Sequence, residues 1–377
     1  MTEPMRHDSV DSCGKTLRRV LRLGRRLIGA ATVTAMLLCS LAGATPVNYQ
    51  MVSVKDAGNA NDSATRMGAV NYNYAIGRYA VTIGQYTNFL NAVAATDTYG
   101  LYHASMGTNA NVMGIQQNGT SGSFTYSVIG SPNRPITYVS WFDAARFANW
   151  MCNGQGNGST ETGAYALNGI GTSGTPTKVV APDQNARFYL PSINEWYKSA
   201  YYSPTLNGGT GGYYAYAAQS DTAPGNIVGG LANQANYYTA NGYSVTQSTT
   251  PDVNQNYLTD VGAFSGSSSY YGTYDQTGNV MQWLSALEGE SFVPYDGDAM
   301  IAGLGWNKYF YDVGWSPSSE DAVFVSFDAV DAINFLGFRL ASQSYSAVPE
   351  IDPAGIGSVI ALVSGALALL ERRKRLA

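Results

Sequence analysis

Long stretches rich in glycine, asparagine and threonine constrain the fold of this chain more than any other feature. They occupy residues 97–133, 153–182 and 203–260, and they separate short apolar patterns. Segments of this length and composition are typical of irregular loops rather than of helices or long strands. Residues 45–347 are therefore predicted to form one loop-rich α+β unit of short helices and antiparallel strands.

Three short helices are indicated by capping boxes, in which a serine or threonine precedes a glutamine, aspartate or glutamate by three residues. The pairs are Thr82–Gln85, Ser140–Asp143 and Ser192–Glu195, and apolar side chains at helical spacing follow each pair. Strands are predicted at Tyr74–Val81, Arg187–Leu190, Val280–Leu284, Ala322–Phe327 and Phe335–Ala341.

The first 44 residues predict a secretory signal peptide. Seven basic residues precede an apolar run, Leu27–Leu41, which ends in the small residues Ala42-Gly43-Ala44. This order matches a basic region, an apolar core and a cleavage site. An uncleaved anchor helix is the alternative, although the run is short for a span of about 20 residues.

The C-terminal end, residues 348–377, predicts a membrane helix with a basic tail. Residues 354–370 carry no charge, and the cluster Glu371–Arg375 follows them. Seventeen helical residues reach about 26 Å, enough to cross a hydrocarbon core, and the basic tail stays in the cytoplasm. Together with Val348–Pro353, this segment resembles a PEP-CTERM sorting signal, which implies an exosortase as partner. A plain membrane anchor is the alternative, and both place the body outside the cytoplasm, in the periplasm or at the cell surface.

Charge and cysteine content exclude several classes of function. Lys and Arg total 21 and Asp and Glu total 26, but the two tails hold 11 of the former and 6 of the latter, which leaves the body at −10. A surface of this sign repels phosphate backbones, so nucleic acid is not an expected partner. The body keeps one cysteine, Cys152, and one histidine, His103. Disulfides, zinc centres and histidine-dependent triads need more of these residues.

Five segments occur in a fixed order, namely Ile76–Thr82, Pro135–Ala144, Arg187–Trp196, Tyr274–Trp283 and Gly337–Arg339. This series resembles the formylglycine-generating enzymes, also called sulfatase-modifying factors. The resemblance covers about residues 74–341 and implies an elaborated C-type-lectin-like fold. The tryptophans in these segments are expected to fill the core, and the capping residues to satisfy helix ends.

The resemblance also implies copper(I) held by two cysteines shortly after the segment that corresponds to Ala302–Trp306. No cysteine occurs after Cys152, and the two positions fall near Lys308 and Val313. An ammonium and an isopropyl group do not bind a cuprous ion, which selects thiolate or thioether ligands. We therefore expect no bound copper and no formylglycine formation, and a structural role for Cys152.

Two calcium sites are further implied by the resemblance. One would use the Asp275 side chain, the carbonyls of Gly278 and Val280, and Gln282, where the family usually has glutamate. The missing charge is expected to weaken binding. Asp275 has an alternative role in a turn that it stabilises by hydrogen bonds. The second site would use Asn236, the Tyr237 carbonyl, Asp252 and the carbonyl near Asn254.

The leading functional prediction is a non-catalytic binding or structural module, with a ligand surface in residues 290–335. Aromatic side chains there suit stacking on glycan or exopolysaccharide or gripping a protein, unless half of them belong to the core. The alternative is an enzyme of the same fold whose chemistry does not depend on the cysteine pair, with a carboxylate pair drawn from Glu288, Glu290, Asp296 and Asp298. The candidate ligand-binding residues are Trp306, Tyr309, Tyr311 and Trp315.

Overall fold

The computed structural model describes residues 46–170, 183, 185–285, 298–307 and 325–343. The chain divides into two compact units, Met1–Val47 and Asn48–Ala377. Only residues 46 and 47 of the first unit are described, and the helices and strands of the described residues all lie in the second unit. The predicted signal peptide, the predicted membrane helix and the basic tail lie outside the described residues.

The three helices that the capping boxes predict are present. Each begins directly after its capping residue, and in each box the hydroxyl accepts the N–H three residues on while that residue's side chain accepts the N–H of the cap. Because these bonds satisfy donors that a helix end leaves unpaired, the local sequence fixes where each helix begins. The helices are α1 (Ile83–Val93), α2 (Ser105–Thr108), α3 (Trp141–Cys152), α4 (Ile193–Tyr201) and α5 (Leu206–Gly209).

Short strands form four small sheets. One has the order β1-β2-β11, another β10-β7-β8-β9, and β3-β4 and β5-β6 are two-stranded. All pairs are antiparallel except β10 with β7, in which Leu336 lies opposite Met281. The strands are β1 (Met51–Val54), β2 (Tyr74–Gly77), β3 (Ile115–Asn118), β4 (Thr125–Val128), β5 (Tyr202–Ser203), β6 (Gly212–Tyr213), β7 (Met281–Trp283), β8 (Asp298–Ala302), β9 (Val325–Asp328), β10 (Leu336–Phe338) and β11 (Ala341–Ser342).

Four tryptophans fill the core, as predicted. Trp141, Trp196 and Trp283 have no exposed surface and Trp150 is 2% exposed. Each buried indole N–H also finds an acceptor, for example the Leu284 carbonyl for Trp141 at 2.9 Å and the Gly156 carbonyl for Trp150 at 2.7 Å. Each tryptophan thus buries a large apolar ring and makes one specific hydrogen bond. The burial stabilises the fold, and the hydrogen bond determines how the ring is oriented.

Several predicted strands are wrong in extent, and one predicted loop contains regular structure. The strand predicted at Tyr74–Val81 ends at Gly77, and the one predicted at Phe335–Ala341 is divided between β10 and β11. Arg187–Leu190 forms only an isolated bridge, between Tyr189 and Ala341, because Leu190 gives its N–H to the Tyr165 hydroxyl instead of to a strand. The segment 97–133, predicted as loop, contains α2 and the hairpin of β3 and β4. The β3 sequence, Ile-Gln-Gln-Asn, lacks the apolar alternation by which a half-buried strand is recognised, and the alternation in β4 is only four residues long.

Among the helices of the described residues, none is both long and apolar enough to cross a bilayer.

Candidate functional site

A group of stacked aromatic rings lies where the 236–257 loop meets the end of β8. The Tyr257 and Trp306 rings stack with centroids 5.0 Å apart at an angle of 4°. Tyr243 lies 4.5 Å from Tyr257 and 5.9 Å from Trp306, and Tyr238 lies 4.8 Å from Tyr243. Tyr138 packs against the same cluster. We call these five residues the aromatic array.

The array has a buried floor and a partly exposed rim. Tyr257 is 1% and Trp306 5% exposed, and the Trp306 indole donates to the Asn334 carbonyl at 3.1 Å. Tyr138, Tyr238 and Tyr243 are half-buried. Such an arrangement holds large rings rigidly and leaves their edges and faces available to a ligand at little entropic cost.

Tyr138 is held in a strained backbone conformation at the rim. Its φ is +59°, in the left-handed region, where a non-glycine residue is disfavoured by roughly 1–2 kcal/mol. Its N–H donates to the Ile333 carbonyl at 3.0 Å, and its hydroxyl accepts the Asn109 amide at 2.6 Å. The exposed His103 ring stacks parallel to it at 5.1 Å. Strain of this kind persists where surrounding contacts fix it, and it is frequent at binding sites.

The predicted ligand surface requires an exposed Trp306, but the structure buries this residue. Because its indole is part of the floor, a ligand at this place would contact the half-buried tyrosines of the rim instead of Trp306. The predicted partners Tyr309, Tyr311 and Trp315 lie outside the described residues. So do Lys308 and Val313.

Asn236, a predicted calcium ligand, has a carboxamide whose orientation is fixed. The residue is 2% exposed, and its NH₂ donates to the Tyr257 carbonyl at 2.9 Å and to Asn279 Oδ1 at 3.0 Å. Both partners are acceptors, so the NH₂ must face them. The buried Oδ1 accepts no hydrogen bond within the described part of the chain. An unpaired buried oxygen is costly, and a cation would satisfy it.

The other predicted ligands of this site lie around Tyr257. The Tyr257 hydroxyl accepts the Asp252 N–H at 2.7 Å, while its carbonyl binds Asn236, so the two candidate ligands contact opposite ends of one residue. Asp252 is exposed, and its Oδ1 accepts the Asn254 N–H at 2.8 Å. The Tyr237 carbonyl accepts the Ser244 hydroxyl at 3.3 Å.

The predicted calcium set at Asp275 lies beside Asn236. The Asn236 carbonyl accepts the Asn279 N–H at 2.7 Å. A Cβ on Gly278 would stand 2.4 Å from that same oxygen, so only glycine permits this approach. Asn236, Asp275 and Gly278 line one cleft together with Phe264 and Thr273.

Within the Asp275 set, three of the oxygens already have hydrogen-bond partners. Asp275 Oδ2 accepts the Gly262 N–H at 2.7 Å, and burial raises the pKa of this carboxyl to about 6. The Gly278 carbonyl accepts the Val280 N–H at 3.0 Å. Gln282 is fully buried, and its oxygen accepts the Trp196 indole N–H at 2.9 Å and Arg339 Nε at 2.6 Å. The Gln282 oxygen is thus engaged by two donors.

Catalytic groups are sparse in the part of the chain that is described. No group of three or more His, Cys, Asp or Glu side chains there could hold a metal ion. Cys152 is partly buried, and its Sγ contacts the backbone N–H and carbonyl of Phe188 at 3.2 Å. Burial raises the pKa of this thiol, which disfavours the reactive thiolate. Glu288, Glu290 and Asp296 lie outside the described residues, as does the side chain of Asp298.

Sequence reasoning missed most of the rim of the aromatic array. Tyr138 was visible only as part of the Pro135–Ala144 segment, and Tyr238 and Tyr243 lie in a loop without periodicity. No sequence signal gives the positive φ of Tyr138, because tertiary contacts from Asn109 and Ile333 impose it. The six tyrosines at 237, 238, 243, 257, 270 and 271 in one polar segment are the one usable signal.

Comparison with known proteins identifies the fold. The model of the "Sulfatase-modifying factor enzyme 1-like domain" family matches residues 45–344. Similar solved structures include CarF (19% identity, 79% of this chain and 99% of that chain, TM-score 0.45) and Treponema denticola variable protein 1 (16%, 79% and 96%, TM-score 0.42). PvdO from Pseudomonas aeruginosa is another (18%, 79% and 92%, TM-score 0.38). No curated protein matches the chain. The chain has the family's α+β, C-type-lectin-like fold, and it belongs to the sulfatase-modifying factor enzyme 1-like domain family.

Proposed function

We propose that this protein is an exported, non-catalytic member of its family that binds a glycan or exopolysaccharide through the aromatic array. The observation that supports this most is the group of half-buried tyrosines, Tyr138, Tyr238 and Tyr243, beside the stacked pair of Tyr257 and Trp306. Sugar rings present apolar C–H faces that stack on such aromatic surfaces. A protein ligand would use the same rim.

Neutral amides around the array favour a polar, uncharged ligand. The Asn109 and Asn111 side chains lie beside it, and both already hold the local backbone and rim in place through hydrogen bonds. Between Asp221 and Asp252 the sequence contains no charged residue. The rim tyrosines themselves carry no charge, so they offer little to an ionic ligand, whereas their hydroxyl groups can exchange hydrogen bonds with the hydroxyl groups of a sugar.

The absence of the cysteine pair supports a non-catalytic role. The sequence after Cys152 has no thiol that could bind copper(I). An enzyme of the same fold with another chemistry is the alternative, and it would have to use residues outside the array, such as the acids at 288–298.

We further propose that calcium binds at Asn236. Its unpaired, buried Oδ1 supports an oxygen-coordinated cation there. The other candidate ligands are Tyr237, Asp252 and Asn254, and the last two would have to approach from the hydroxyl end of Tyr257 to reach the same ion. Such an ion would brace the loop that carries Tyr238 and Tyr243. Export by the signal peptide, tethering by residues 354–370 and recognition by an exosortase complete the proposal.

A binding experiment with matched tyrosine variants tests this function. The purified exported chain is titrated with a panel of glycans and exopolysaccharides, with and without calcium, and hydrolysis of each ligand is assayed in parallel. Tyr238→Ala and Tyr243→Ala are expected to weaken binding roughly tenfold each, in line with the loss of a ring contact. Tyr270→Ala, which removes a 40% exposed tyrosine outside the array, serves as control.

Two outcomes would contradict the proposal. Binding that Tyr270→Ala weakens and the array variants leave unchanged would place the ligand elsewhere. Turnover of a bound glycan by the wild type, lost in an Asp296/Asp298 double variant, would favour the enzyme.

A further inference from the structure

Two buried carboxamides, those of Asn236 and Gln282, have opposite orientations at the two predicted calcium sets. Asn236 directs its NH₂ to two acceptors and leaves its oxygen unpaired among the described residues. Gln282 directs its oxygen to two donors, the Trp196 indole and Arg339 Nε. Its NH₂ donates to the Asp275 carbonyl at 3.3 Å.

The orientation of Gln282 is forced by its partners. An indole N–H and a guanidinium N–H only donate, so both need the single oxygen of the carboxamide. A flipped Gln282 would leave two buried donors unsatisfied, and each would lose the hydration of its N–H without a replacement. The end that faces Asp275 is therefore an NH₂ group, which has no lone pair for a cation.

Arg339 already supplies positive charge beside Asp275. Its side chain is fully buried, and it donates to the Gly77 carbonyl at 3.0 Å and to the Tyr274 carbonyl at 2.8 Å. The guanidinium thus ties β2 to the residue that precedes Asp275. A divalent ion at Asp275 would meet this charge in a region of low dielectric, where repulsion is strong.

We infer that the Asp275 set has exchanged a cation for a network of protein groups, in which Gln282 and Arg339 hold the Tyr274–Asp275 turn in place without metal. The nitrogen of the Gln282 carboxamide decides whether the set can bind a cation. A glutamate at 282 would keep one oxygen for Trp196 and Arg339 and would present a second oxygen, in place of the NH₂ group, to the set. The inference concerns Asp275 alone and holds whether or not Asn236 binds calcium.

Calcium titration of the full chain tests the exchange. Isothermal titration with CaCl₂, with MgCl₂ as control, is carried out on the wild type, Asp275→Asn, Gln282→Glu and the Gln282→Glu/Asp275→Asn double variant. The wild type and Asp275→Asn are expected to bind the same number of calcium ions. Gln282→Glu is expected to bind one more, at least tenfold tighter than any binding of the double variant.

Two results would overturn the inference. A calcium ion bound by the wild type and lost in Asp275→Asn would show that the set is functional as it stands. A folded Gln282→Glu variant without an additional ion would show that the NH₂ group is not what excludes the cation. Asn236→Ala separates the neighbouring proposal, because it removes any calcium bound there and leaves the gain in Gln282→Glu intact.

Discussion

The buried carboxyl of Asp143 makes the stability of the fold depend on pH in a direction that the structure predicts. Asp143 is 6% exposed in the first turn of α3. Its Oδ2 accepts the N–H of Ser140 at 2.9 Å and the Ser140 hydroxyl at 2.7 Å. Burial raises its pKa from 3.8 to about 6, although the Ser140 hydrogen bonds and Arg146 oppose this shift.

The sign of the effect follows from the two pKa values of Asp143. Because the folded pKa exceeds the unfolded one, the folded state binds the proton more tightly. Its contribution to stability is fully present below about pH 4 and is lost as the pH rises through about 6. Between pH 5 and pH 8 the loss for this one group is about 1 kcal/mol. Burial also raises the pKa values of Asp97, Glu195 and Asp275, which act in the same direction. The pKa of Lys198, lowered by burial to about 8, opposes them only near pH 8, so these groups together favour the folded state more at pH 5 than at pH 8.

The Asp143→Asn variant isolates the contribution of this carboxyl. Asparagine keeps an oxygen for Ser140 but does not titrate, so its unfolding free energy should fall about 1 kcal/mol less than that of the wild type between pH 5 and pH 8. Urea unfolding followed by tryptophan fluorescence at pH 5, 6.5 and 8 measures this. Asp260→Asn, at an exposed site, serves as control. Parallel pH profiles of the wild type and Asp143→Asn would refute the reasoning.

Three further predictions concern packing, charge and metal. Gly337→Ala should lower the unfolding free energy by about 2 kcal/mol in urea unfolding, because its Cβ would stand 2.6 Å from the Ile136 carbonyl. Gly158→Ala, whose Cβ would have its closest contact at 3.7 Å, is the control and should leave the unfolding free energy unchanged. Arg146→Met should lower the unfolding free energy by about 3 kcal/mol in the same assay, since it leaves Glu161, 2.7 Å away, without its buried partner. A decrease of less than about 1 kcal/mol, as measured for exposed ion pairs, would contradict this. Millimolar EGTA should lower the melting temperature by about 4 °C in the wild type and not in Asn236→Ala; no shift in the wild type would exclude the proposed calcium.

Local sequence signals predicted the parts of the fold that local contacts determine. The capping boxes at Thr82, Ser140 and Ser192 act over three residues, so the helix starts followed directly from the sequence. The burial of the tryptophans followed from their apolar area.

Features that depend on distant partners could not be read in this way. The orientation of Gln282 depends on Trp196 and Arg339, which are 86 and 57 residues away in the sequence. The sequence showed only that a charge was missing at position 282. The strained Tyr138 likewise depends on Asn109 and Ile333, and the burial of Trp306 on its stack with Tyr257.

A copper assay with a substrate peptide tests most directly the claim that this family member has lost the copper chemistry. The exported chain is incubated with copper(I) under reducing conditions and then, in air, with a peptide that carries a sulfatase-type cysteine, and copper content and peptide mass are measured. The account predicts no stoichiometric copper and an unchanged cysteine, because no thiolate pair follows Trp306. One copper ion per chain together with conversion of the cysteine to the aldehyde would contradict it.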